Sequence, residues 1–292
     1  MPAGAPPTSS LPRVAGSLGI ICGGGKLPLE VARAARAAGN TVFLIGITGE
    51  ADTAIEAFPH AYVRWGEVGK LFALLGEQGC SDIVVIGKVR RPSLRQVHFD
   101  FGALRAMPRF LAMLVGGDDK ILSSIVSYIE ERGLRVLGAQ EFLPHLIADA
   151  GRLGRITPGP AQEQDAALGF KVAGALGAFD IGQAVVVEGG YVLTVEAAEG
   201  TDVMLTRAGA LRRGGETKSG VLVKRAKPGQ ELRIDMPTVG VRTVTGAAEA
   251  GLAGIAIEAG RTLLADYEDV IEAADKAGLF LLGLSADQNG ND

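Results

Sequence analysis

The segment Val221–Gly240 reads Val-Leu-Val-Lys-Arg-Ala-Lys-Pro-Gly-Gln-Glu-Leu-Arg-Ile-Asp-Met-Pro-Thr-Val-Gly, with Asp235 downstream of Lys224, Arg225 and Lys227. A carboxylate among fixed cations suits chemistry on phosphate: the cations hold the anion, and the carboxylate holds a metal ion or a water. Leu232, Ile234 and Met236 alternate with Arg233 and Asp235, which predicts a strand over 231–236 with one face buried. Pro237 would end that strand, because it cannot donate to a ladder. Asp235 then lies at a strand end, where α/β proteins place their ligands. A salt bridge between Arg233 and Asp235 is the alternative reading of the same pattern.

A second acidic stretch, Thr194-Val-Glu-Ala-Ala-Glu-Gly-Thr-Asp, carries Glu196, Glu199 and Asp202 where a strand gives way to a helix. With Asp235 these carboxylates form a candidate oxygen site for a divalent cation. The alternative is a helix start capped by Thr201, its acids favoured by the helix dipole. Asp118, in Gly116-Gly-Asp-Asp-Lys, reads as a helix cap rather than a metal ligand. His60, His98 and His145 share no ligand spacing. Cys22 and Cys80, both in or beside apolar runs, form no paired metal motif and fit a reducing compartment. The Gly-Asn-His and Nudix-type Glu-rich patterns of other phosphate hydrolases are absent.

Near the start, Gly19-Ile-Ile-Cys-Gly-Gly-Gly-Lys-Leu-Pro-Leu-Glu reads as strand, glycine loop and helix start, with Pro28 in the first helical turn. Successive glycines let backbone N–H groups approach an anion at a helix N-terminus. The loop is neither G-x-G-x-x-G nor a Walker A loop, and Phe43-Leu-Ile-Gly-Ile-Thr places no acid for a ribose hydroxyl. A phosphate or sugar cradle and a plain tight turn remain open. Lys88, Arg90, Arg91, Arg95, Arg105 and Arg109 form a local basic cluster, which suits a phosphate, an anionic membrane surface or a solvated face. Between 99 and 115, Leu104, Met107, Phe110, Leu111 and Leu114 fall at helical spacing beside Arg105 and Arg109. That face suits acyl chains or a bilayer; a core helix kinked at Pro108 is the alternative.

The elements that must position these groups alternate in type. Strands are predicted at Ser17–Cys22, Thr41–Ile45, Ala61–Trp65, Asp82–Ile86 and Leu134–Leu137, with helices at Leu27–Ala38, Val68–Gln78 and Ile121–Arg132. Such alternation predicts a parallel sheet with helices on both faces. Gly- and Pro-rich punctuation over 144–164 predicts a linker. The second half predicts a helix at Ala161–Leu176 and a hairpin, Gln183–Val187 and Tyr191–Glu196, turning at Gly189-Gly190. Further strands are expected at Gly220–Lys224, Glu231–Met236, Gly254–Glu258, Thr262–Leu264 and Leu279–Leu282, with helices at Asp202–Leu211, Val244–Ala253 and Tyr267–Lys276. The expected organisation is a loose N-terminus over 1–16, an α/β domain over 17–143, the linker, a catalytic mixed α/β domain over 165–284 and a tail over 285–292.

Composition narrows the function classes. The 292 residues carry a formal net charge of −4 without a dominant Lys/Arg stripe, so nucleic acid is not expected as a partner. The 42 glycines against one Trp and four Tyr suit tight strand–helix turns rather than aromatic stacking platforms. The Pro/Ala/Ser-rich residues 1–15 lack the apolar run of a signal peptide, and no stretch is apolar for long enough to span a membrane.

Taken together, the blocks Gly23-Gly-Gly-Lys-Leu-Pro, Gly87-Lys-Val-Arg-Arg-Pro, Gly116-Gly-Asp-Asp, Gly138-Ala-Gln-Glu, Leu153–Ala161, Asp180-Ile-Gly-Gln-Ala-Val-Val-Val, Val195–Met204, Lys224–Gly240 and Gly254–Gly260 resemble one family. It is the UDP-2,3-diacylglucosamine pyrophosphatase family of lipid A biosynthesis that is unrelated to the calcineurin-like phosphoesterases. No single block is diagnostic; their order and number, over about 17–284, carry the likeness. The extra N-terminus is the main departure and touches no motif.

The resemblance implies two domains, a Rossmann-like parallel sheet and a mixed α/β domain, with the ligand between them. It implies Mg²⁺-dependent hydrolysis of the lipid-linked UDP-sugar to 2,3-diacylglucosamine 1-phosphate and UMP, with water attacking the sugar-side phosphorus. The expected location is cytoplasmic, peripheral on the cytoplasmic face of the inner membrane, and a homodimer is the base-rate expectation. The family's essential aspartate falls on Asp235, assigned to metal binding or water orientation, with Glu196 and Asp202 as further metal ligands. The substrate-binding candidates are Gly24, Gly25, Lys26, Lys88, Arg90, Gln140, Thr157, Thr194, Thr201, Lys224 and Lys227. The 99–115 face becomes the expected acyl groove. The alternatives are a non-catalytic UDP-sugar or lipid-binding protein and a Rossmann-like oxidoreductase.

Overall fold

The computed structural model describes residues 11–90, 118–215 and 217–286, in two compact units that divide at Pro144/His145. In the first unit the apolar runs form β1 (Ser17–Cys22), β2 (Thr41–Ile47), β3 (His60–Val63), β4 (Cys80–Ile86) and β5 (Arg135–Leu137). All neighbours in this sheet are parallel and the order is β3-β2-β1-β4-β5. Leu18, Ile20, Leu44, Ile45, Ile83 and Val84 are buried, as expected where helices cover a parallel sheet. Helix α1 (Leu27–Ala37) packs on β1 and β2, α2 (Val68–Glu77) on β3 and β4, and α3 (Asp118–Glu130) on β5. A short α4 (Ala139–Phe142) follows β5 and packs against α1. The strand order reverses at β1/β4, the place in an open α/β sheet where ligands bind beyond the carboxyl ends.

The second unit begins inside the segment expected as a linker. Within 144–164 lies β6 (Gly151–Arg152), and α5 (Pro160–Gly177) already starts before its end. The glycines and prolines there shape an edge strand and a helix start rather than a free connection. Then come β7 (Ala184–Glu188), β8 (Tyr191–Val195), α6 (Gly200–Leu211), β9 (Val221–Lys224), β10 (Thr238–Val239), α7 (Val241–Glu249), β11 (Gly254–Glu258), β12 (Leu263–Leu264), α8 (Tyr267–Lys276) and β13 (Phe280–Leu284). Six strands form a mixed sheet, β6-β13-β11-β9-β7-β8, in which β9, β11 and β13 run parallel. Strands β7 and β6 run antiparallel to their neighbours β9 and β13, and β8 is antiparallel to β7. One face packs Val186, Leu222 and Ile257 against Met204, Val244 and Val270; the other packs Val185, Val187 and Val223 against Ala166 and Phe170. Helices therefore cover both faces of this sheet.

The strand expected over Glu231–Met236 is not formed. Gly229, at φ +79°, reverses the chain, and the amides of Ile234 and Asp235 return to the Glu231 carbonyl at 3.2 and 3.0 Å. Strand β9 is already paired on both sides, by β7 and β11, so the sheet offers no ladder to this segment. Pro237 precedes a strand instead of ending one: its carbonyl accepts from the Leu263 amide, and β10 pairs with β12 just beyond.

Glu188, buried at the end of β7, ties down the 212–219 loop. Its carboxylate accepts from the amides of Arg213 and Gly214, at 2.8 and 3.0 Å, and from the Ser219 hydroxyl. Burial pushes this carboxyl up, but those donors and the nearby Arg212 charge outweigh it and hold it below the usual range. Glu188→Ala is expected to lower stability by about 1–2 kcal/mol at pH 7, since it removes a charged acceptor from part-buried donors. The wild-type advantage is complete above the unfolded carboxyl's value of about 4.3 and fades as pH falls through the lower folded value. Denaturant titrations of both proteins at pH 7 and in acid check the difference and its sign.

Candidate functional site

The carboxyl ends of β8, β9 and β11 and the start of β7 meet at one edge of the second sheet. Lys224 pairs with Ala184 of β7 and Ile257 of β11, and the Glu196 amide donates to the Ala184 carbonyl at 2.8 Å. The row places Lys224 and Glu196 on either side of the small Ala184, both side chains buried. Thr201, in the first turn of α6, joins them: its hydroxyl donates to Glu196 Oε1 at 2.5 Å and accepts from Lys224 Nζ at 3.4 Å. Lys224 Nζ also donates to the Thr238 carbonyl at 3.2 Å, three residues beyond Asp235.

From Glu196 the hydrogen bonds continue to Asp235. Glu196 Oε2 accepts from the Gln183 amide at 3.0 Å, and Gln183 Oε1 lies 3.5 Å from Gln230 Nε2. Gln230 Nε2 donates to Asp235 Oδ2 at 2.7 Å and to the Asp235 carbonyl at 2.8 Å. Asp235 thus sits half-buried in the β9–β10 connection rather than at a strand end. The alternative Arg233–Asp235 pairing gives way to Arg233 with Glu231 at 2.7 Å; that hydrogen bond, with the Arg233 charge, outweighs burial and holds Glu231 below the usual carboxylate range. Lys227, also buried, pairs with Asp180, and its amide donates to Gln230 Oε1 at 2.8 Å.

On the opposite face of the same edge, Arg225 stacks over Phe170, its Cζ 4.1 Å from the ring centre, and donates to the Phe170 carbonyl at 3.1 Å. Buried Glu258, at the end of β11, accepts from the Ala226 amide at 2.9 Å. Its other oxygen is 3.8 Å from Arg225 Nε and 3.9 Å from an Arg261 nitrogen. Lys227, Arg225 and Arg261 at this edge are thus met by Asp180 and Glu258 of the chain itself.

The three carboxylates expected to share a metal do not converge. Glu196 spends both oxygens on Thr201 and Gln183, and the exposed Asp202 pairs with Arg242. Glu199 likewise pairs with Arg207. Among the described residues no group of three or more His, Cys, Asp or Glu side chains is arranged to hold a metal ion. Thr201 lies in the helix without capping it, since its hydroxyl turns back to Glu196. Thr194 is buried, its hydroxyl without a protein partner. Thr157 lies apart on the exposed segment after β6, accepting from Arg152 at 2.7 Å.

In the first unit the structure gathers Gly24, Gly25, Lys26, Lys88, Arg90 and Gln140 beyond the carboxyl ends of β1, β4 and β5. Gly24 and Lys88 exchange backbone hydrogen bonds at 2.8 Å in both directions. A Cβ at Gly23 would stand 2.6 Å from the Lys88 carbonyl oxygen, so glycine is required where the two strand exits touch. The Gly25 amide donates to Asp52 Oδ2 at 2.7 Å, so the loop already holds a carboxylate of the chain itself. The amide of Arg90 donates to Glu50 at 3.1 Å, and Gln140 Oε1 is buried without a protein partner. Leu104, Met107, Phe110, Leu111 and Leu114, the expected acyl groove, lie outside the described residues.

Gln183, Gln230 and Glu258 belong to this edge and were not among the expected site residues. All three lie within blocks that carry the family likeness; Gln230 follows the Lys-Pro-Gly turn and Glu258 closes an apolar strand, positions that could have singled them out.

Comparison with known proteins agrees with this two-part organisation. Residues 17–146 match the family described as LpxI N-terminal domain, and residues 149–282 match LpxI C-terminal domain. The UDP-2,3-diacylglucosamine pyrophosphatase LpxI of Caulobacter vibrioides is 42% identical over 271 residues, covering 91% of this chain and 97% of that protein.

Proposed function

The chain belongs to the LpxI family, and from that membership we propose that it hydrolyses the pyrophosphate of UDP-2,3-diacylglucosamine to 2,3-diacylglucosamine 1-phosphate and UMP, in lipid A biosynthesis. The observation that carries the reading to particular atoms is the carboxylate of Asp235, fixed through one oxygen by Gln230 and linked only by way of Gln230 and Gln183 to Glu196, Thr201 and Lys224. Hydrolysis of a phosphoric anhydride needs an oriented water and neutralised phosphate charge. In this reading Asp235 orients the water or holds the cation, and Lys224 faces the anion. Water oxygen bonds to the sugar-side phosphorus as the bridging oxygen leaves with UMP, and the water's proton is released to solvent.

Mg²⁺ is the proposed cofactor. A single carboxylate suits it, because Mg²⁺ is commonly held by one or two carboxylates together with substrate phosphate oxygens. Asp235, with Oδ2 engaged by Gln230, is the residue in the described network that would contribute such a ligand. When bound, the cation neutralises charge on the phosphates. The lipid-linked substrate also favours peripheral association with the cytoplasmic face of the inner membrane; no described helix is long and apolar enough to cross a membrane. A homodimer remains the expectation from base rates alone.

Incubation with UDP-2,3-diacylglucosamine, without any redox cofactor, is expected to release UMP in the presence of Mg²⁺. EDTA is expected to stop the release and added Mg²⁺ to restore it. In heavy-oxygen water the label should enter the diacylglucosamine 1-phosphate. Label in UMP would reverse the direction of attack, and binding without turnover would make the protein a carrier.

A further inference from the structure

Gln230 is the buried polar side chain in closest contact with the Asp235 carboxylate, and its own orientation is determined. Its Oε1 accepts from the Lys227 amide at 2.8 Å, which requires the oxygen on that side. The amide nitrogen therefore faces Asp235 and donates to both the carbonyl, at 2.8 Å, and Oδ2, at 2.7 Å. Two contacts from one nitrogen to the backbone and side chain of the same residue restrict the carboxylate's rotation. The tight Lys227–Gln230 turn, closed by the Gln230 amide on the Lys227 carbonyl at 3.1 Å, holds the glutamine in place. We propose that Gln230 is a positioning residue for hydrolysis: its amide fixes the Asp235 carboxylate through Oδ2 and leaves the second oxygen to the reaction. The inference rests on the functional reading above.

The two ends of the glutamine amide separate a positioning role from a structural one. Gln230→Glu retains an acceptor for the Lys227 amide, so it preserves the turn, but it replaces the donor that holds Asp235. The expected result is a kcat lowered by about 10–100-fold with KM within about twofold, and a lower melting temperature, because a second carboxyl group now faces Asp235. In an Asp235→Ala background the same substitution should cost almost nothing further, because residues that act as a unit are not additive. If the glutamate variant does not fold, Gln230→Ala in the same double-mutant cycle reads the coupling.

A folded Gln230→Glu protein with wild-type kcat overturns the inference, as does a loss that adds in full to that of Asp235→Ala. Loss of folded protein in both Gln230 variants makes the residue structural and also overturns it. Wild-type release of UMP in the same assay is the control that separates the two claims. Without that release, the functional reading fails and carries the inference with it.

Discussion

Asp235→Ala is expected to leave a folded protein whose turnover falls by at least about two orders of magnitude, the scale of removing one group that acts on the transition state. The prediction follows from where the side chain is held. Asp235 lies half-buried in a connection rather than in either apolar core, so an alanine there empties no packed space. Gln230 loses its contact with Oδ2 but keeps the Asp235 carbonyl at 2.8 Å, so its amide nitrogen retains an acceptor. The stability cost should therefore stay near that of one exchanged hydrogen bond, about 1 kcal/mol. Substrate binding, supplied by other groups, should persist. Circular dichroism, a thermal melt and UMP release measured together check the prediction; near-normal hydrolysis by the folded variant would remove Asp235 from the chemistry.

Much of the scaffold around this residue was legible in the sequence because local pattern and tertiary demand agreed. Ser17–Cys22 is a continuous apolar run, as a strand buried on both faces requires, and it forms with the expected bounds. Tyr191–Val195 pairs with β7 around Gly189-Gly190, whose φ values of +57° and +78° suit the turn that the two glycines announce. The failures have one cause. Alternation over 231–236 states which residues could line a strand but not whether a neighbouring edge is free, and β9 had none to offer. In the same way, Gly and Pro over 144–164 marked bends, while the pairing of Arg152 with Leu282 depends on a strand 130 residues downstream.

At the candidate edge the sequence named Asp235, Glu196, Thr201 and Lys224 but not how they are wired. Acid spacing placed Glu196, Glu199 and Asp202 together along the chain, but side-chain direction separates them: Glu196 turns inward to Thr201, while Asp202 turns out to Arg242. Sequence could name the glycine loop at Gly23–Gly25 as an anion cradle without foreseeing that Asp52, 27 residues beyond Gly25, reaches its amide. Gln183 and Gln230 lie within blocks that carry the family likeness but bear no charge to single them out, yet they are the links between Glu196 and Asp235.

Lys224→Met is the second substitution with a large expected effect: a fall of about 10²–10³ in kcat/KM, comparable to the loss of a preorganised donor. Methionine keeps an unbranched stem of similar reach within a buried slot and deletes only the charge and its donors. Lys224 stands at the carboxyl end of β9, where its ammonium meets Thr201 at 3.4 Å and the Thr238 carbonyl at 3.2 Å. A cation held in surroundings that exclude water acts on a phosphate more strongly than one on an exposed loop. Arginine should not rescue activity, because its planar fork is larger than the ammonium that Thr201 and the Thr238 carbonyl receive, and the two cations are not interchangeable in a confined site. Steady-state kinetics of the methionine and arginine variants, beside melts that establish folding, test this. A folded Lys224→Met protein with kcat/KM close to wild type would show that the charge at the end of β9 serves the fold alone.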